Sequence, residues 1–233
     1  MIKVVVFDAQ GTLFRSISKG EKIRSILESQ GYKKGLAEIE SAFILSKRIS
    51  KLLHSRGLIK LDEEGYLIEN EIRLMLLGFT DNEATALAKA VNEQWTASSQ
   101  RIPYPETEKV LKSLSRKYKI GLLTAGAISS YKTTLDDTGL GKYFSFVVGE
   151  DTTNVPKPDP KAYAHVIEKA GCKPEEILFV GDDPVNDYEG PQKSGMKAIL
   201  VDRENTCDKK ILKIRDLTAL LDNISLLNSN TGL

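Results

Sequence analysis

Ile2-Lys3-Val4-Val5-Val6-Phe7-Asp8-Ala9-Gln10-Gly11-Thr12 decides how this chain is read. From Ile2 to Phe7 the run is short and rich in β-branched residues, as a strand buried in a parallel sheet must be. Asp8 closes the run and Gly11 signals a turn, so a carboxylate stands at the carboxyl end of the strand. Comparable runs lie far downstream, at 120–123, 146–148, 177–180 and 198–201. Between and after them come helical patterns. Residues 106–118 place Val110, Leu111 and Leu114 on one face. Residues 127–138 end at Gly139, a residue suited to the position after a helix. Asp159 and Pro160 suit the cap and first turn of a helix that runs to Ala170 and stops at Gly171. Strands alternating with helices imply right-handed crossovers and an α/β core, its parallel sheet covered on both faces.

The segment 15–101 differs in kind. Ile23, Ile26 and Leu27, then Ile39, Phe43 and Leu45, then Ile68, Ile72 and Met75 recur at helical intervals. Leu87, Ala88, Val91 and Trp95 continue the pattern through 84–96. Four or more helices and no convincing strand are expected there. The exit, Arg101-Ile102-Pro103-Tyr104-Pro105, is stiffened and extended by its prolines. The chain therefore reads as an α/β core made of 1–14 and 102–233, interrupted by an all-helical module at 15–101. The last dozen residues read as a frayed end.

Composition narrows the function classes. The 33 basic and 32 acidic side chains nearly cancel, leaving a net charge of +1 and no footprint for nucleic acid or an anionic membrane surface. Cys172 and Cys207 are too few for a disulfide framework, lack metal-ligand spacing and read as reduced thiols. No apolar run approaches the roughly 20 residues that cross a bilayer, and the first residues lack a secretory leader pattern. A cytoplasmic protein is the expectation.

Ligands of open parallel sheets bind beyond the carboxyl ends of the strands. Those ends carry Asp8-Ala9-Gln10-Gly11-Thr12, Thr124-Ala125-Gly126, the approach to Pro156-Lys157-Pro158-Asp159-Pro160, and Gly181-Asp182-Asp183-Pro184-Val185-Asn186-Asp187. Singly, each reads as a turn, a cap or a solvated charge. Jointly, they supply carboxylates, a hydroxyl beside helix-start amides, and a cation at one sheet edge. Two carboxylates about 4 Å apart repel by ~4 kcal/mol at an effective dielectric of 20. Asp8 beside Asp182 and Asp187 thus calls for a hard cation, and Mg²⁺ suits few carboxylates supplemented by water and substrate oxygens. Lys157, Thr124 and the amides at Ala125 and Gly126 suit a phosphoryl anion.

In order and spacing these motifs resemble the haloacid dehalogenase-like hydrolase superfamily, in the subgroup with a helical cap after the first motif. The resemblance spans Val4 to about Val201, although the cap matches only in position, length and helicity. It implies a Rossmann-like three-layer core with the active site under the cap. It implies Asp8 as a nucleophile that forms an aspartyl-phosphate, and Mg²⁺ held by Asp8, the backbone carbonyl of Gln10 and Asp182, with Asp187 nearby or through water. Asp183 is an alternative ligand. Thr124, Ala125 and Lys157 would bind the phosphoryl group of a small phosphorylated metabolite, in a monomer or homodimer. Phosphatases of the family carry a second Asp two positions after the nucleophile, as general acid and base. Here that position is Gln10, which has no proton that titrates near neutrality. Three readings follow: a phosphohydrolase limited to good leaving groups or a borrowed proton donor, other superfamily chemistry (2-haloacid dehalogenase or phosphonate hydrolase), or a binding protein without turnover. Dehalogenases lack the Gly-Asp that opens the fourth motif, whereas Gly181-Asp182 is intact. A phosphonate hydrolase would need a cap lysine, and spacing does not single one out among Lys47, Lys51 and Lys60.

His54 and His165 read as packed or solvated imidazoles, Trp95 as a core or hinge aromatic, and Tyr104 as hinge packing. Lys47, Arg48 and Lys51 read as a solvated helix face. If the connections at 15–18 and 102–105 act as hinges, cap closure would exclude water and complete specificity.

Overall fold

The computed structural model describes residues 1–60, 62–97 and 101–229, and the chain divides into two compact units, Met1–Ser16 with Arg101–Leu233, and Ile17–Gln100. In chain order the elements are β1 (Val4–Phe7), β2 (Phe14–Ser16), α1 (Lys19–Ser29), α2 (Leu36–Ser55), α3 (Glu63–Leu76), α4 (Asp81–Ala97), β3 (Arg101–Pro103), α5 (Thr107–Leu114) and β4 (Lys119–Leu123). There follow α6 (Ser129–Asp137), β5 (Phe146–Val148), α7 (Glu150–Thr153), α8 (Pro160–Ala170), β6 (Ile177–Gly181), a π-helical turn (Pro184–Glu189), α9 (Gly190–Lys193), β7 (Lys197–Val201), β8 (Lys213–Ile214) and α10 (Leu220–Ser229).

In the first unit, six strands lie in the order β5-β4-β1-β6-β7-β8, every pair parallel. Sitting between β4 and β6, β1 is buried on both faces because the pleat sends its side chains alternately into two cores. Val5 and Phe7 join Leu111, Leu122 and Val180 in one; Val4 and Val6 join Leu123, Tyr163 and Phe179 in the other. Each such side chain contributes ~1.5–3 kcal/mol, which is why a β-branched run without alternation is needed here. From β1 the chain passes to β4 and β5 on one side, and later to β6 and β7 on the other. The carboxyl ends of β1, β4 and β6 therefore flank the point where strand order reverses, where open α/β sheets take their ligands. Asp159 caps α8 by accepting from Lys161 N at 2.9 Å, with Pro160 in the first turn and Gly171 left-handed after the last.

Several expectations are corrected. β2 and β3 form an antiparallel ribbon pairing Phe14 with Pro103 and Ser16 with Arg101, and β8 adds a sixth strand to the sheet. β8 has only two residues, and β2 and β3 carry Arg15, Arg101 and Pro103 instead of an unbroken apolar run such as that of β5. Helix 106–118 is confined to Thr107–Leu114, and 127–138 to Ser129–Asp137. The tail continues as a helix through Ser229 because Leu220 and Ile224 are buried in the core; residues 230–233 lie outside those described.

The second unit packs α1 to α4 around Ile23, Leu27, Ile39, Leu74, Leu77 and Ala88. A capping box starts α1: Ser18 accepts from Glu21 N while Glu21 accepts from Ser18 N. The buried stripe of α2 runs through Ile39, Ala42, Ser46 and Ser50, and Leu45 and Met75 face solvent instead. Small Ala and Ser side chains let helices approach closely, which a count of large apolar residues overlooks. Lys47, Arg48, Lys51 and Lys60 are exposed. The Trp95 side chain lies outside those described. Among the described residues no helix is long and apolar enough to cross a membrane.

Candidate active site

Where β1 ends, the Asp8 amide still belongs to the sheet, donating to Val180 O at 2.9 Å, while its carboxyl group turns into a pocket of about 240 Å³. Asp8, Gln10, Thr124, Ala125, Lys157, Asp182 and Asp187 all line that pocket. Segments up to 179 residues apart in sequence (Asp8 and Asp187) meet there because their strands are neighbours.

At the centre is a buried ammonium. Lys157 Nζ donates to Asp8 Oδ1 and to Asp187 Oδ1, both at 2.6 Å, with only 2% of its side chain exposed. Asp187 is fully engaged by the protein, since its Oδ2 accepts from Asp183 N at 3.0 Å. Asp182 lies further towards solvent, and its Oδ1 accepts from Thr12 Oγ1 at 3.1 Å. Two glycines make room for these carboxylates. A Cβ on Gly11, which is left-handed at φ +85°, would stand 2.2 Å from Asp182 Oδ2; one on Gly181 would stand 2.3 Å from Asp187 Cβ.

The charge balance is unfavourable without a further cation. Ligand oxygens of Asp8, Asp182 and Asp187 lie within 4.8 Å of one another, against one ammonium. Burial raises the Asp8 carboxyl, opposed by Lys157 and reinforced by Asp187 and Asp182, to about 7. Burial and Asp187 raise Asp182 as well. Burial works to lower the Lys157 ammonium, but Asp8 and Asp187 outweigh it and raise its pKa. A surplus of negative charge on hard oxygen donors is the chemistry that suits Mg²⁺, so the residues present fit that ion.

Around this centre the structure separates binding from bracing. Asp183 caps the π-helical turn through one oxygen, Oδ1 accepting from Val185 N at 2.8 Å and Asn186 N at 2.7 Å, and it also lines the pocket. The Thr124 hydroxyl accepts from Gly126 N at 3.2 Å, leaving its O–H to donate. The Gly126 amide expected to face an anion is thus turned onto Thr124, and the Ile128 amide beyond it is taken by Asp151 at 2.9 Å. The Gln10 amide donates to Ser16 Oγ in β2 at 3.1 Å. Sequence reading missed Tyr131 and did not single out Asn186 as pocket lining; Tyr131 sits on α6, where nothing local marks it. His165 lies on α8 and His54 on α2, and neither lines this pocket.

Residues 2–195 match the sequence profile described as a haloacid dehalogenase-like hydrolase. The chain is 27% identical over 209 residues to glyceraldehyde 3-phosphate phosphatase of Methanopyrus kandleri, covering 87% of this chain and 85% of that protein. It is 32% identical over 197 residues to phosphoglycolate phosphatase 1 of Pseudomonas aeruginosa, covering 84% and 67%. Among solved structures, a HAD phosphatase from Thermococcus onnurineus shares the fold with a TM-score of 0.59 at 24% identity, over 96% of this chain and 98% of that one. So does the L-2-haloacid dehalogenase from Xanthobacter autotrophicus, with a TM-score of 0.57 at 23% identity, over 97% and 99%. One fold thus hosts both chemistries, and the choice between them lies in the site.

Proposed function

The chain belongs to the haloacid dehalogenase-like hydrolase family, and from that premise we propose that it is a Mg²⁺-dependent phosphohydrolase acting on a small phosphomonoester. The observation that carries this reading is the Lys157 ammonium held 2.6 Å from both Asp8 and Asp187, with Asp182 completing an oxygen-rich cluster. Phosphatases among the relatives support it.

Lys157 binds one Asp8 oxygen and so orients the other towards the pocket as nucleophile. That oxygen attacks phosphorus as the bond to the leaving-group oxygen breaks, so an aspartyl-phosphate forms on Asp8 and the leaving group departs as its oxyanion, to be protonated by solvent. Water then attacks the same phosphorus, the bond to Asp8 breaks, the water's proton passes to solvent, and phosphate is released with the carboxylate restored. The Thr124 O–H and the Ala125 amide hold phosphoryl oxygens, and Lys157 offsets their charge. Asp8, Asp182 and the Gln10 carbonyl would hold Mg²⁺, with Asp187 contributing charge from behind Lys157 because both its oxygens are already engaged. Bound Mg²⁺ supplies charge neutralisation and polarises the phosphoryl group. Gln10 can offer a hydrogen bond but no titratable proton, so the expected acid–base gain of roughly 10²–10⁴-fold is lost for poor leaving groups. The helical unit is the cap in this reading.

Phosphate release from 4-nitrophenyl phosphate with and without Mg²⁺ is the test, with Asp8→Asn as the control. Activity that requires both Mg²⁺ and Asp8 supports the reading; turnover equal to the control defeats it. Gln10 leaves dehalogenation open as a competing chemistry, against which the intact Gly181-Asp182 counts, and metal-free halide release from a 2-haloacid would establish it instead.

A further inference from the structure

Arg203, just past the end of β7, is engaged on every side. Its Nε donates to Gly11 O at 3.2 Å and one terminal nitrogen to Thr12 O at 2.8 Å. The other terminal nitrogen pairs with Glu106 Oε1 at 2.8 Å. The guanidinium carbon also lies 3.4 Å from the Tyr104 ring centroid, a close approach of a planar cation that lysine cannot reproduce. Tyr104 and Glu106 follow β3, whereas Gly11 and Thr12 precede β2. One planar group therefore fastens both passages of the chain at the root of the β2–β3 ribbon. Two more bonds close the same junction, from Tyr104 N at 3.0 Å and Thr107 Oγ1 at 2.9 Å, both to Leu13 O.

The segment so fastened is the nucleophile loop. Gly11 is left-handed and in close approach to Asp182, and the Thr12 hydroxyl holds Asp182 directly. Arg203 is not among the residues that line the pocket. Its grip is on the carbonyls of the two residues that shape the Asp182 position.

We propose that Arg203 is a positioning residue, whose fork across the Gly11 and Thr12 carbonyls holds the nucleophile loop and Asp182 in register for cation binding and attack by Asp8. The proposal rests on the phosphohydrolase reading for its kinetic consequence, but its binding consequence is measurable without turnover. Loss of a direct partner of a metal ligand, the place Thr12 holds here, typically weakens metal affinity by about 10–100-fold, and Arg203 acts one contact further out, so the lower end applies. Arg203→Ala is therefore expected to raise the Mg²⁺ concentration for half-maximal activity by about tenfold. The calorimetric dissociation constant for Mg²⁺ rises in parallel, with KM for an aryl phosphate at saturating Mg²⁺ changed less than threefold. Guanidinium ion at low millimolar concentration refills the space and restores part of the loss in Arg203→Ala, an effect that general destabilisation would not produce.

Arg203→Lys keeps the charge without the fork and is expected to show the same weakened Mg²⁺ affinity with less loss of folding stability. If Arg203→Ala fails to fold, Arg203→Lys decides the matter. Wild-type Mg²⁺ affinity in a folded variant overturns the proposal, as does a loss in Arg203→Ala that guanidinium leaves untouched. Absence of turnover in the unmodified protein would defeat the phosphohydrolase reading alone, because the calorimetric comparison still judges Arg203.

Discussion

Lys157→Met removes the ammonium at the centre of the cluster while keeping most of the side-chain volume. Two carboxylate oxygens then lose partners at 2.6 Å in a site where Lys157 and Asp187 are each 98% covered. Breaking a buried ion pair by deleting one partner costs about 3–5 kcal/mol, because the remaining charge is stranded. For a chain of this length each kcal/mol corresponds to roughly 2–4 °C in Tm, so a fall of about 6–20 °C is expected in EDTA. The loss has a pH signature. Asp8 already holds its proton up to about 7, and without Lys157 it holds it higher still, so the variant suffers less at pH 6 than at pH 8. It has a metal signature as well. Once its carboxylates are ionised, the site carries one more unit of net negative charge, worth about 8 kcal/mol towards a divalent cation 4 Å away at an effective dielectric of 20. Mg²⁺, which stabilises the native state by mass action, should therefore raise the Tm of the variant more than that of the unmodified protein, even though phosphate release is lost. Differential scanning fluorimetry at pH 6 and 8, with EDTA or with 5–10 mM Mg²⁺, reads all three effects. A Tm drop under ~3 °C in EDTA, or a Mg²⁺ increment no larger than in the unmodified protein, would refute the charge argument on which the site is built.

Asp8→Asn abolishes Mg²⁺-dependent phosphate release, measured with 4-nitrophenyl phosphate, while leaving far-ultraviolet circular dichroism unchanged. In metal-free buffer, the unmodified protein loses stability as pH rises from about 4 to 7. The folded state there retains the Asp8 proton that the unfolded chain has released, with the folded pKa raised to about 7 from 3.8. Tm against pH should show that excess slope over Asp8→Asn, and equal slopes would contradict it. Gly11→Ala forces a side chain into the left-handed region and into the space of Asp182; a stability loss of roughly 1–3 kcal/mol and a diminished Mg²⁺ shift in Tm are the readouts, and a neutral variant counts against the cradle. Gln10→Asp raises kcat on alkyl phosphates, whose leaving groups need a proton, far more than on nitrophenyl phosphate; an equal gain on both would mean that leaving-group protonation is not what Gln10 lacks.

Asp8, Thr124 and Asp182 of the candidate site were legible because each stands where a buried strand stops, whereas Lys157 lies nine positions past β5 and was marked by the prolines on either side of it. A strand such as Val4–Phe7 or Ile177–Gly181 must be apolar throughout, so the first carboxylate after it is conspicuous, and parallel pairing puts such strand ends on the same edge. Local chemistry also marked the start of α8, where Asp159, Pro160 and Gly171 act within a few residues of each other. What failed to show was short or non-local. The ribbon of β2 and β3 draws its stability from partners 85 to 89 positions apart, and beyond Ile39 the buried stripe of α2 consists of Ala42, Ser46 and Ser50 rather than large apolar side chains.

The division has a physical basis. Burial and backbone geometry act residue by residue, so the order of β-branched runs, caps and glycines already determined an α/β core interrupted by helices, and named the carboxylates, hydroxyl and lysine at its strand ends. Distances between those groups depend on which strands are neighbours and how the loops after them are braced. Only the tertiary structure decided that Lys157 lies between Asp8 and Asp187, that Asp183 serves as a cap, that Gln10 is tied to Ser16, and that Arg203 reaches back across the sheet edge to Gly11 and Thr12.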